Sequence, residues 1–142
     1  MLALPDETAE RRNPFPKSHR IMIIEDDLLI ASQLEAALDE EGFEVIAAVT
    51  TGEEALQAVL TDRPDLAIVD IRLAGERDGV DTALELFRSH GIRCISASAY
   101  LDPETRRRGE GAAPLGWLAK PYTMRALTAM VRAALRQIGD EN

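Results

Sequence analysis

The chain has 142 residues, 46 % of them hydrophobic and 29 % charged, which fits one soluble globular domain with a core of its own. A formal net charge of −9 opposes unaided contact with nucleic acid or anionic membrane surfaces, because phosphate-rich partners are met by an excess of Lys and Arg. One cysteine, Cys94, excludes an internal disulfide and a thiolate-rich metal site.

Residues 1–19 hold Pro5, Pro14 and Pro16 among mixed charges and read as an N-terminal extension, mobile or bound to a partner. Nothing in it has the basic-then-apolar order of a signal peptide, and no apolar stretch is long enough to span a bilayer, so a cytoplasmic location is expected. Residues 20–139 read as one domain and 140–142 as a tail.

The run Ile21-Met22-Ile23-Ile24 predicts a strand buried on both faces, stopping at Glu25-Asp26-Asp27. Leu28, Leu29, Ile30, Leu34, Ala37 and Leu38 recur at helical spacing, and Gly42 ends that helix. A second strand is expected over 43–48. Thr51-Gly-Glu-Glu54 is a capping box opening a helix through Ala55, Leu56, Val59 and Leu60. Leu66-Ala67-Ile68-Val69 predicts a third strand ending at Asp70. Asp78 caps a helix that carries Val80, Ala83, Leu84 and Phe87 and ends at His90-Gly91. A fourth strand is expected over 92–97, and Asp102-Pro103 starts a short helix with Arg106, Arg107 and Arg108, broken by Gly109 and Gly111. A fifth strand over 115–119 and an amphipathic helix over 123–138 complete the pattern. Five strands alternating with five helices predict an α/β fold, a doubly wound parallel sheet.

Polar residues interrupt the apolar runs at C-terminal strand ends: Glu25 and Asp26, then Asp70, Ser98 and Lys120. In a parallel sheet these ends share one edge, where ligands bind. Crowded carboxylates call for a cation, and all-oxygen ligands suit Mg²⁺, which keeps several waters and leaves room for a phosphate oxygen. Lys120 and Ser98 could contact a phosphoryl group on an aspartate. Taken singly, the three acidic residues also fit a solvated helix start, Asp70 a turn and Lys120 a loop. The weight lies in their joint placement, because Lys120 is the one lysine of the folded region in a chain with fourteen arginines.

From about residue 20 to residue 139 the chain resembles bacterial response-regulator receiver domains. Glu25-Asp26-Asp27 is similar to the acidic-pair motif of that family and Val69-Asp70-Ile71-Arg72 to its phosphorylation site. Ser96-Ala97-Ser98-Ala99-Tyr100 is similar to the switch segment, and Leu118-Ala119-Lys120-Pro121-Tyr122 to the Lys-Pro-aromatic motif. The resemblance implies a flavodoxin-like strand order, 2-1-3-4-5. It also implies phosphorylation at Asp70 by a sensor histidine kinase or a histidine phosphotransfer protein. Mg²⁺ (or Mn²⁺) would be held by Glu25, Asp26, Asp70 and the Arg72 backbone carbonyl. Ser98, Ala99 and Lys120 would line the phosphoryl position, and Pro121 would follow Lys120, in the cis form common in the family. Trp117 matches the aromatic switch position, and packing alone would equally explain it. Arg72 and Tyr100 stand where the family tunes hydrolysis, and their bulk implies restricted attack by water. The glycine-rich stretch 106–114 departs from the family's fourth helix and puts its usual dimer or output face in doubt.

A stand-alone receiver is expected, signalling to a protein partner or relaying phosphate rather than turning over substrate. Kinase docking is expected on the first helix around Ile30, Leu34 and Leu38, and the resemblance also allows a homodimer. Two other readings stand beside it: a receiver-like interaction protein that is never phosphorylated, and an Asp-nucleophile phosphohydrolase. The latter generally needs a second acid two positions after the nucleophile, where this chain has Arg72.

Overall fold

A computed structural model describes residues 19–73, 78–99 and 102–141. The elements are β1 (Arg20–Ile24), α1 (Leu28–Glu40), β2 (Glu44–Val49), α2 (Gly52–Ala58), β3 (Leu66–Asp70), α3 (Gly79–His90), β4 (Cys94–Ser98), α4 (Pro103–Gly109), β5 (Gly116–Ala119) and α5 (Met124–Glu141), with a 3₁₀ turn at Glu110–Ala112. The sheet runs β2-β1-β3-β4-β5 with every pairing parallel, the order expected.

The alternation of side chains along each strand divides the core in two. Ile21, Ile23, Ile68, Ile95 and Leu118 meet Leu34 and Leu38 of α1 and Leu127 and Val131 of α5 on one face. Met22, Ile24, Val69 and Cys94 meet Ala55 of α2 and Ala83 and Leu86 of α3 on the other. Burial on both faces explains why β1 and the first four residues of β3 read as unbroken apolar runs, while β4 is buried throughout and carries Ser96 in its middle. The same burial pushes the Cys94 thiol up to about 12, so this cysteine is a small core filler as expected.

Caps set the helix boundaries. Thr51 and Glu54 form the reciprocal capping box, and Gly91 closes α3 with φ +69°, the left-handed geometry that favours glycine. Several bounds shift from the expected ones. β2 covers Glu44–Val49 and slips register between Ile21 and Met22, so Val45 and Ala47 take consecutive partners on β1. β4 begins at Cys94, because the Ile92 amide still bonds Leu86 at the end of α3. α2 stops at Ala58, where the Leu60 amide turns back to Gln57, and Leu60 is exposed. α5 continues to Glu141, whose carboxylate takes an ion pair from Arg93.

One correction concerns α1. Leu34 and Leu38 are buried in the core, and the apolar surface of this helix is Leu28 (71 % exposed) and Leu29 (69 %) at its start. The stripe formed by Ala31, Leu34 and Leu38 faces the sheet, which leaves the first two leucines pointing outward. A docking surface centred on Leu34 and Leu38 is therefore excluded; only the half-buried Ile30 of that trio reaches a surface hollow.

Candidate functional site

The sheet order reverses beside β1 and β3, which connect outward in opposite directions, and the crevice outside their carboxyl ends is where such folds hold ligands. β1 delivers Glu25 and Asp26 to this crevice, β3 delivers Asp70, β4 delivers Ser98, and the turn after β5 delivers Lys120.

The three adjacent acids at the end of β1 divide their work. Asp27 is the N-cap of α1, its carboxylate accepting from the Leu29 and Ile30 amides at 3.0 and 3.2 Å. The solvated helix start weighed for all three thus applies to Asp27 alone. Replacing it with Ala is expected to cost about 1 kcal/mol in a urea melt, while Mg²⁺ titration is left unchanged.

Glu25, Asp26 and Asp70 bring one carboxylate oxygen each to within 4.8 Å of one another. That spacing is close to the ~4 Å separating ligands on opposite sides of one Mg²⁺ ion. All the donors are hard oxygens, and the residues fit such an ion. Glu25 and Asp70 are buried and Asp26 is exposed, so the cluster opens to solvent on the Asp26 side.

Lys120 supplies the cation present. Its Nζ donates to Asp70 Oδ2 at 3.1 Å and lies 3.9 Å from Glu25 Oε1. The other Asp70 oxygen, Oδ1, accepts from the Arg72 amide at 3.1 Å, which fixes the loop after β3 against the carboxylate. Burial pushes the Glu25 carboxyl up to about 7, against a hydrogen bond from the Asp27 amide that lowers it, and the nearby Asp70 adds to the rise.

Ser98 is buried at the end of β4, and its carbonyl accepts from the Lys120 amide at 2.8 Å, so the two residues are held by one backbone link. The Lys120–Pro121 peptide bond is cis. Ala99, Lys120 and Pro121 line a hollow of about 380 Å³ with Ile30, Tyr122 and Met124. Trp117 is not among the groups gathered around Asp70; its half-buried ring lies against α4. Arg72 is exposed, and Tyr100 lies outside the described residues, as do residues 1–18 of the extension.

Two contributors escaped the sequence reading. Tyr122 is visible in the sequence only as the aromatic after Pro121; burial and the nearby Glu25 and Asp70 push its hydroxyl up to about 12, so it stays protonated beside the acidic cluster. Gly79 opens α3, and its amide donates to the Ile71 carbonyl at 2.8 Å. A Cβ at this position would stand 2.1 Å from the Asp70 carbonyl oxygen, so glycine lets α3 close over the end of β3. Its only trace in the sequence is its place after the cap Asp78.

Comparison with known proteins bears on the family and the fold. The profile of the family described as the response regulator receiver domain matches residues 21–132. The transcriptional regulatory protein PdtaR of Mycobacterium tuberculosis is 29 % identical over 116 residues, covering 82 % of this chain and 56 % of the relative. The DNA-binding response regulator MtrA of Mycobacterium leprae is 34 % identical over 122 residues, covering 86 % of this chain and 53 % of the relative. The chain therefore spans about half the length of these curated relatives. The crystallised signal receiver domain of a modulated diguanylate cyclase from Desulfovibrio desulfuricans G20 superposes with a TM-score of 0.82 at 33 % identity, covering 89 % of this chain and 100 % of that one. A CheY-like receiver domain protein from Methanospirillum hungatei JF-1 gives 0.82 at 25 % identity with the same coverage. Among the described residues no helix is long and apolar enough to cross a membrane.

Proposed function

Because this chain belongs to the response regulator receiver family, we propose that Asp70 is its phosphoryl acceptor, charged by the phosphohistidine of a sensor histidine kinase or a histidine phosphotransfer protein. The observation that carries the reading is the environment of one carboxylate. Asp70 lies 3.1 Å from a lysine ammonium and clusters with Glu25 and Asp26, and its neighbour Asp26 is open to solvent.

In the transfer, one Asp70 oxygen attacks phosphorus, a P–O bond forms, and the P–N bond to the donor imidazole breaks. The imidazole leaves with the electron pair and takes a proton. Glu25, Asp26, Asp70 and the Arg72 backbone carbonyl would hold Mg²⁺ or Mn²⁺, which when bound offsets the charge of the phosphoryl oxygens. Lys120 exchanges its Asp70 partner for a phosphoryl oxygen, as a flexible point charge can. Ser98 and the adjacent Ala99 backbone border the same position, and Trp117 is the aromatic that answers to Ser98. The modified surface acts on a protein partner or passes the phosphoryl group on; the net charge of −9 assigns no nucleic-acid contact to this domain.

Acetyl phosphate with Mg²⁺, followed by intact-mass measurement, tests the reading. One phosphoryl adduct is expected, absent in Asp70→Asn and absent when Mg²⁺ is chelated. A parent protein that takes up no phosphoryl group would instead mark a receiver-like interaction protein, and steady release of phosphate from added esters would mark a hydrolase.

A further inference from the structure

Trp117 sits midway along β5 opposite Ser96 of β4, one residue before Leu118 of the α1–α5 core. By strand alternation its ring stands on the other side of the sheet, the side of Ser98 and α3. There it meets α4 at two points. The Arg106 guanidinium carbon lies 5.6 Å over the ring centroid. Beneath the ring edge is Gly109, where a Cβ would fall 2.5 Å from Cη2 and 2.8 Å from Cζ2 of the indole. No side chain other than hydrogen fits at residue 109 while the ring stays in place.

This socket is braced from outside. The Asp102 carboxylate caps α4 by accepting from the Thr105 amide at 2.7 Å. Arg108 ties the helix to the start of α3 through Asp78 at 3.2 Å and Asp81 at 3.1 Å. Three consecutive arginines thus serve different ends: Arg108 fixes α4, Arg106 covers the indole, and Arg107 is exposed.

We propose that Gly109 and Arg106 are positioning residues for Trp117, forming a socket on α4 that holds the indole in its resting place and so biases the unmodified protein toward it. An aromatic with two positions is distributed between them by the difference in contact free energy. A glycine notch that admits the ring and a cation that covers its face both favour the socket position. The proposal rests on the reading of Asp70 as acceptor and of Trp117 as the ring that responds. It places the restraint on α4, a helix of seven residues followed by a 3₁₀ turn.

The chain's single tryptophan makes the test direct. Emission and acrylamide quenching are measured for the parent, Gly109→Ala, Arg106→Gln and Arg106→Lys, before and after acetyl phosphate with Mg²⁺, with intact mass recorded in parallel. In unmodified protein, Gly109→Ala is expected to raise the quenching constant about twofold and shift the emission. Arg106→Gln should give a smaller change in the same direction, and Arg106→Lys should return toward the parent. The phosphoryl donor should move the parent toward the Gly109→Ala signature and move Gly109→Ala by less than half as much. Unchanged quenching in both Gly109→Ala and Arg106→Gln overturns the socket, as does a parent whose mass shows the adduct while its emission stays still. If Gly109→Ala does not fold, the Arg106 pair still decides. A parent without an adduct overturns the reading of Asp70, while the unmodified variants still report on the socket.

Discussion

Gly79→Ala is expected to destabilise the protein by about 3 kcal/mol, the upper end of what overpacking costs, and to lower the thermal midpoint by roughly 10 °C. The new Cβ would lie 2.1 Å from the Asp70 carbonyl oxygen and 2.6 Å from the Ile71 Cα. Both are backbone atoms at the end of a buried strand, and neither can rotate away. Relief requires α3 to lift from β3, breaking the hydrogen bond from the Gly79 amide to Ile71 and displacing the Asp70 backbone. Phosphoryl uptake should therefore fall together with stability. Gly139→Ala is the control, because nothing lies within 4 Å of a Cβ there and the residue is inside α5. That change should stabilise by a few tenths to about 1 kcal/mol. Chemical denaturation of the two variants measures both signs. Equal midpoints would mean that α3 does not press on the Asp70 backbone.

Gly79 also marks where the sequence stops being legible. The strands β1 and β3 announce themselves because burial on both faces selects apolar runs. Glu25 and Asp70 at their ends then stand out by contrast, and a lysine among fourteen arginines does the same at residue 120, whereas Ser98 ends a strand that already holds Ser96. β2 is only half-buried along most of its length, so its bounds and its slipped register have no comparable signal. Helical spacing groups Leu28 and Leu29 with Leu34 and Leu38, since periodicity describes a wide arc without saying which part meets the sheet. Close approaches are less visible still. Gly79 against Asp70 and Gly109 against Trp117 depend on how two distant segments are set in space, and one glycine reads like another until they are. The division of Glu25-Asp26-Asp27 into two site residues and one cap is of the same kind, decided by where β1 ends and α1 turns.

Glu25→Gln should remove the loss of stability that rising pH brings to the metal-free protein through this residue. The parent's Glu25 holds its proton up to about pH 7 in the folded state, against an ordinary value of 4.5. Below 4.5 the carboxyl is protonated folded or unfolded, and its burial carries no penalty from charge. As pH rises from 4.5 to 7 the unfolded chain ionises first, so folding loses stability; above 7 the full cost of a buried carboxylate is present. Glutamine keeps a polar amide of similar shape without the charge. The variant's midpoint should match the parent's near pH 4.5, pull ahead through that window, and stay ahead at pH 8. Divalent metal should narrow that lead. A bound cation favours the ionised carboxylate and stabilises whatever binds it, by about 2.7 kcal/mol at a hundred times the dissociation constant. The parent should gain from Mg²⁺ at pH 8, and Glu25→Gln, with one of the three clustered oxygens neutralised, should gain much less. Thermal melts across pH 4.5 to 8, with and without Mg²⁺, separate the two contributions. Parallel curves for parent and variant under both conditions would mean that Glu25 neither bears the cost of burial nor serves the metal.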